Sequence, residues 1–175
     1  MHFGLGLPIT DPRLLIDWAR RAEACGFDTL ALLDRLVHDN PEPLVALSVL
    51  AGATSRIRLQ TEVLLGPLRA SALLAKQVAT LDVMSGGRFT LGIGIGVRED
   101  DYTTAGVPFT ARGRRLDAQL TELRQIWRDG RIGPRPATPA GPPILIGAFA
   151  PAALRRVARH GEACCARPLS PGPAG

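Results

Sequence analysis

The sequence predicts an α/β fold built on a parallel sheet. Apolar strand-like runs begin near residues 3, 29, 57 and 88, with a helical pattern between each pair. That spacing is close to the period of βαβ units, which give parallel strands joined by right-handed crossovers. The 175 residues are 46% apolar and 21% charged, an ordinary balance for a folded domain and not for a disordered chain.

Phe3–Pro8 is a short apolar run closed by proline, the first strand. Asp11-Pro12 then supplies a helix cap and a first-turn proline. Leu14, Leu15, Trp18, Ala19 and Ala22 follow at helical spacing, with Trp18 expected in the core, and Gly26 stops the helix. Thr29–Leu33 is the second strand, ending at Asp34-Arg35. Pro41 and Pro43 open a second helix from Leu44 to about Thr54. Arg56–Leu65 reads as a third strand, and Ala70 to Met84 as a third helix stopped by Ser85-Gly86-Gly87. Arg88–Gly96 is a fourth strand and Val97–Thr110 a loop-like stretch. A helix over Arg112–Asp129, with Trp127 in the core, precedes a Pro/Gly-rich segment from Gly130 to Pro143. The fifth strand, Ile144–Gly147, and a helix over Pro151–His160 follow, with a remnant of a sixth unit near Ala163–Ala166. Residues 1–166 are expected to form the domain, and the Pro/Gly-rich 167–175 a frayed tail. Both an open doubly wound sheet and part of a (β/α)8 barrel fit this order. A barrel typically needs ~250 residues, so length alone favours the open sheet.

Net charge is +5, almost all of it from scattered arginines, and aromatics are only 5%. That supplies no base-stacking platform, so nucleic acid is not an expected partner. No apolar run approaches the ~18–20 residues of a membrane span, and the N-terminus lacks the basic head of a signal peptide. A cytoplasmic location is expected. Cys25, Cys164 and Cys165 make no paired framework and are expected as free thiols.

The glycines at 92, 94 and 96 invite a dinucleotide reading and fail it. The third glycine of the Rossmann fingerprint falls on Val97 or Glu99. There is no Gly-Lys-Ser/Thr of a P-loop and no G-x-S-x-G elbow. His2, His38 and His160 lie too far apart for a helical zinc pair, so no metal site is expected. What remains is G-x-G-x-G at a strand's C-terminal end, where backbone is open to a flat ligand or a phosphate.

Leu81-Asp82-Val83-Met84-Ser85-Gly86-Gly87-Arg88-Phe89-Thr90-Leu91-Gly92-Ile93-Gly94-Ile95-Gly96 resembles a signature of the luciferase-like flavin-dependent oxidoreductases, a family that includes deazaflavin-dependent enzymes. Ala53-Thr54-Ser55-Arg56-Ile57-Arg58-Leu59 and Asp101-Tyr102 with Gly106 are similar to further motifs of that family, in the same order. The resemblance implies an incomplete TIM-type (β/α)8 barrel with five or six parallel strands, shortened at its C-terminus. The change of composition after Gly161 fits a truncated or frameshifted product.

The resemblance also implies a site. Asp34 stands where relatives carry an Asp-His pair near the flavin edge, with Arg35 in place of the histidine and His38 as a distant substitute. Glu62 and Val63 stand at a non-proline cis peptide behind the flavin ring. Gly94 and Gly96 flank the cofactor, and Asp101 and Tyr102 contact flavin or substrate. Ala118 replaces a frequent glutamate. No catalytic residue is assigned.

The cofactor implied is FMN or the 8-hydroxy-5-deazaflavin coenzyme, with a small organic substrate oxidised through reduced flavin and O2 or by hydride transfer. The alternative is a non-catalytic flavin-binding or dimerising relative. The helices over Leu44–Thr54 and Ala70–Met84 are apolar on nearly every face, with Ala70, Ala72, Ala75 and Ala79 permitting close approach. A homodimer through these helices is expected.

Overall fold

The strands of the computed structural model lie side by side in chain order, all parallel: β1 (Gly4–Leu7), β2 (Thr29–Leu32), β3 (Arg58–Thr61), β5 (Phe89–Gly94), β6 (Ile144–Gly147) and β7 (Ala163–Cys165). A two-residue strand, β4 (Leu64–Leu65), continues β3 after a break and also pairs with β5. The described residues are 3–7, 11–138, 140–148 and 150–165; the expected tail lies outside them. The sheet curls into a half-barrel with helices. A doubly wound sheet would insert β1 among later strands, whereas here it borders β2 at the edge of the order. Six strand positions match the incomplete barrel.

The helices are α1 (Leu15–Ala24), α2 (Pro43–Ala53), α3 (Ser71–Met84), α4 (Glu99–Thr104), α5 (Arg112–Asp129) and α6 (Pro151–His160). Asp11 accepts from the Arg13 N–H to start a 3-10 turn, Pro12–Leu14, that leads into α1. Leu15, Ala19 and Ala22, spaced by helical turns, form the buried stripe of α1. Glu42 caps α2 by accepting from the Val45 N–H. Gly130, at φ +67°, ends α5 in the left-handed conformation. Leu30, Leu59, Phe89, Leu91, Ile93, Ile144 and Ile146 belong to one hydrophobic core with α1, α2, α3 and α5.

The signature segment proves to be largely structural. Arg88 donates to Ser85 O, Thr54 Oγ1, Ile57 O, Ala51 O and Thr54 O, at 2.7–3.1 Å. One guanidinium therefore ties the end of α2, the lead into β3 and the end of α3. Buried Asp82 accepts from the Thr138 N–H at 3.0 Å and anchors the Pro/Gly-rich segment.

Several expectations are corrected. The expected loop over Val97–Thr110 contains α4 and a 3-10 turn, Phe109–Ala111. Glu99, Asp100 and Asp101 occupy the first turn of α4, where carboxylates favour a helix start. The third strand is broken at Glu62–Val63, and the fourth ends at Gly94, two residues before Gly96 turns to φ +67°. Trp127 is buried, but Trp18 is 45% exposed, with Arg21 stacked 5.6 Å from its ring. Cys25 and Cys164 are free and exposed.

Of the alanines read as permitting close approach, Ala75 and Ala79 are buried within the chain, as is Leu47 of α2, whereas Ala70 and Ala72 are exposed. A helix with neighbours on both sides needs a wider apolar surface than one stripe, and α2 packs against both α1 and α3. The large apolar side chains that α2 and α3 leave exposed are Val45, Val49, Leu73, Val83 and Met84, and Ala72 of α3 is exposed with them.

Candidate functional site at the C-terminal strand ends

Of the sequence-predicted residues, Glu62 lines one depression and Asp34 another, while Val63, Gly94, Gly96, Asp101 and Tyr102 line neither. On the inner face, Gly4, Gly6, Thr29, Ala31, Gln60 and Glu62 line a concavity of about 350 Å3, together with Phe3 and Leu5. Gly4, Gly6 and Ala31 leave the sheet there almost without side chains, with Gln60 and Glu62 as a polar flank. At the rim, Asp34, Arg35, Asn40, Glu42 and Arg69 line a cleft of about 230 Å3. A larger concavity of about 510 Å3 lies at the opposite strand ends, lined by Glu23, Asp28, Arg56 and Arg58 among others. There the Glu23 carboxylate is committed to the N–H groups of Ser55, Arg56 and Ile57, which hold its pKa down at about 2. Parallel α/β barrels build sites at the C-terminal strand ends, where the rim cleft lies; the inner-face concavity runs along β1–β3 from Phe3 and Thr29 and reaches those ends at Glu62.

The peptide between Glu62 and Val63 is cis, as the resemblance implied. Val63 packs across the inner face onto the glycines. A Cβ on Gly94 would stand 2.8 Å from Val63 Cγ2, and one on Gly147 3.1 Å. A Cβ on Gly92 would stand 1.8 Å from Thr61 O. The space freed at Gly92 and Gly94 is thus occupied by the chain's own Thr61 and Val63. The glycine repeat serves first to let the broken strand approach β5.

Asp34, 6% exposed, takes two hydrogen bonds on Oδ2, from the Leu65 N–H at 2.8 Å and from Arg69 Nη2 at 2.9 Å. Leu65 is the register partner of Gly94, so Asp34 is tied to the glycine strand through one residue. Buried Asp101 takes Arg35 Nε at 2.7 Å on Oδ2 and the N–H groups of Leu36 and Val37 on Oδ1. Arg35 also reaches Asp100. Tyr102 is 1% exposed, donates its hydroxyl to Ile95 O, and meets Phe109 edge-on at 5.3 Å. Burial pushes its phenol up to about 12. Asp101 and Tyr102 therefore brace the rim from beneath. His38 and Ala118 are exposed.

Arg69, Asn40 and Gln119 were not legible as site residues. Arg69 bridges Asp34 and Glu42, Asn40 donates to Leu33 O and Pro41 O, and Gln119 donates to Arg69 O. The one available signal was Asp34 itself, since a buried carboxylate requires a cation or N–H donors.

An incomplete parallel barrel with its polar groups gathered at the C-terminal strand ends defines a class of TIM-barrel enzymes and their relatives. The chain belongs to the luciferase-like monooxygenase family, whose model matches residues 2–173. An uncharacterised protein of Mycobacterium tuberculosis is 30% identical over 91% of this chain and 67% of its own length. The F420-dependent glucose-6-phosphate dehydrogenase of Intrasporangium calvum is 32% identical over 86% of this chain and 52% of its own. Monooxygenase RslO1 from Streptomyces bottropensis superposes with a TM-score of 0.88 at 23% identity, over 98% of this chain and 61% of its own. The oxygenating constituent of 3,6-diketocamphane monooxygenase from Pseudomonas putida, in complex with FMN, gives 0.81 at 19% identity, over 93% of this chain and 56% of its own. The chain thus spans between half and two thirds of the length of these proteins. The two cofactors expected from the sequence are the two that occur among these neighbours. Among the described residues, no helix is long and apolar enough to cross a membrane.

Proposed function

We propose that the chain serves a flavin-dependent oxidoreductase of this family, oxidising a small organic substrate. The observation that carries the reading is the inner-face concavity, without side chains at Gly4 and Gly6, with only a methyl at Ala31, and flanked by Gln60 and Glu62. A flat ring fits such a surface, and the polar flank fits its heteroatoms. Bound there, reduced FMN would supply two electrons to O2, the substrate supplying the other two, while the oxidised deazaflavin coenzyme would accept a hydride from the substrate.

The chain's own residues bind and position. Val63, packed onto Gly94, would back a ring held at the inner face, and Gly96 turns the strand end at φ +67°. Glu62 presents its carboxylate to the concavity, and Asp34 stands at the rim. Asp101 and Tyr102 hold the wall through Arg35 and Ile95. Two chains associate through the exposed apolar residues of α2 and α3, Val45, Val49 and Leu73 foremost.

Activity is tested with a panel of aldehydes, ketones and alcohols, by supplying reduced FMN in air and following its reoxidation, or the oxidised deazaflavin coenzyme without air and following its reduction. Substrate-dependent turnover of either cofactor above buffer, lowered by Glu62→Gln, supports the reading. Turnover equal to buffer with both cofactors refutes it.

The non-catalytic alternative gains from one observation. Where the resemblance implies a histidine, Arg35 is locked to two carboxylates, and a guanidinium does not exchange protons near neutral pH.

A further inference from the structure

The rim carries a chain of contacts that the flavin reading does not use. Arg69 follows the 3-10 turn Gly66–Leu68 and precedes α3, outside every motif of the sequence. Its Nη2 donates to Asp34 Oδ2 at 2.9 Å and its Nη1 to Glu42 Oε1 at 2.8 Å. Glu42 is itself fixed, since its other oxygen caps α2. From the opposite side, Gln119 of α5, 4% exposed, donates to the Arg69 carbonyl at 2.9 Å. The backbone of Arg69 is thus held from α5, and its guanidinium by Asp34 after β2 and Glu42 at the cap of α2.

The consequence falls on Asp34. Both of its hydrogen bonds land on Oδ2, and Oδ1 takes none among the described residues. Asp34 lines the rim cleft, so Oδ1 is the oxygen left for a ligand there. The Leu65 N–H alone would fix one atom of the carboxylate and leave it free to turn. A guanidinium tip on the same oxygen, tied at its other tip to Glu42, supplies the second restraint.

We propose that Arg69 is the positioning residue of the rim, holding Asp34 with Oδ1 presented to an N–H or O–H donor of the bound flavin, and that Gln119 sets Arg69 in register. The inference rests on the flavin reading for the identity of the ligand and on the contacts above for the positioning. A lysine at 69 keeps one charge but cannot span both carboxylates as the planar fork does.

The test is a double-mutant cycle read in flavin binding. Wild type, Arg69→Met, Arg69→Lys, Asp34→Asn and Asp34→Asn/Arg69→Met are titrated with FMN and with the deazaflavin coenzyme, and circular dichroism checks their fold. Arg69→Met weakens binding about tenfold or more, and Arg69→Lys recovers part of the loss. The double variant binds no more weakly than Asp34→Asn, because Arg69 acts through Asp34. Wild-type affinity in Arg69→Met, or a further tenfold loss in the double variant, overturns the proposal. Where Arg69→Met does not fold, Gln119→Met takes its place, with an expected loss of about fivefold. If wild type takes neither flavin, the flavin reading fails by itself, and the cycle is read in urea midpoints. Additive midpoint shifts then overturn the pairing, and a double shift no larger than that of Asp34→Asn sustains it.

Discussion

Arg35 Nε and Asp101 Oδ2 lie 2.7 Å apart, joining the segment after β2 to α4 across sixty-six positions of sequence. The Asp101 side chain is 2% exposed and that of Arg35 14%, so the pair is nearly dry. Asp101 also receives the N–H groups of Leu36 and Val37, which makes it the anchor of the whole rim segment.

Removing one partner of such a pair leaves a buried charge without compensation. Arg35→Ala is therefore expected to destabilise the fold by roughly 3 kcal/mol, measured by urea denaturation. Arg35→Ala/Asp101→Asn should be less damaging than the sum of the two single changes. Strict additivity would show that the contact is not coupled.

Arg88 makes a second prediction. Arg88→Met strips donors from carbonyls of Ala51, Thr54, Ile57 and Ser85 at once. Hydrogen bonds from a charged donor contribute about 1.5–3 kcal/mol each and do not add fully, so a loss on the order of 3 kcal/mol is expected. A denaturation midpoint within error of wild type would contradict the hub.

Glu23 predicts an acid-labile contribution. Its pKa falls from 4.5 to about 2, chiefly through the Ile57 and Arg56 N–H groups. A lowered pKa stabilises the fold above the unfolded value, and the contribution disappears as pH falls from about 4.5 towards 2. The stability difference between wild type and Glu23→Gln should be full at pH 6 and vanish near pH 2. A difference constant across that window would place the effect elsewhere.

Tyr102 is the single tyrosine of the chain, so its ionisation can be read without ambiguity from ultraviolet absorbance. Burial raises its pKa from 10.0 to about 12. The fold thus gains from the neutral phenol below about 10 and loses that gain as pH rises towards 12. A titration midpoint near 10 in the folded protein would show the ring to be solvated.

Association is tested on exposed rather than buried positions. Val45 and Val49 project from α2, whereas a charge at Leu47 would disrupt the core and report nothing about an interface. Val49→Glu should shift sedimentation from dimer to monomer with its fold intact. A monomeric wild type, or a dimeric Val49→Glu, removes this interface.

Much of the fold was legible because it is encoded locally. Pro12, Pro43 and Gly130 mark helix ends, and the spacing of apolar runs gives the βα order. Short polar α4 was hidden, since six residues hold no hydrophobic period and its contacts, Tyr102 on Phe109 and Asp101 with Arg35, form only in the closed fold. The exposure of Trp18 was hidden for a related reason: periodicity places a residue on a face but does not say how far its neighbours reach. For the site, Asp34, Glu62 and Gly94 were visible through resemblance. Arg69 and Gln119 were not, because their partners lie 35 and 50 positions away and only the closed fold unites them.

The central claim is that the inner concavity beside Glu62 takes a flavin. Glu62 is exposed on that face, so Glu62→Trp fills the concavity without entering the core. Wild type and Glu62→Trp are each mixed with FMN or the deazaflavin coenzyme, desalted, and their visible spectra recorded. Wild type should retain about one flavin per chain of at least one kind, and Glu62→Trp should retain none while keeping its circular dichroism. Retention of neither flavin by wild type, or equal retention by both proteins, would contradict the account.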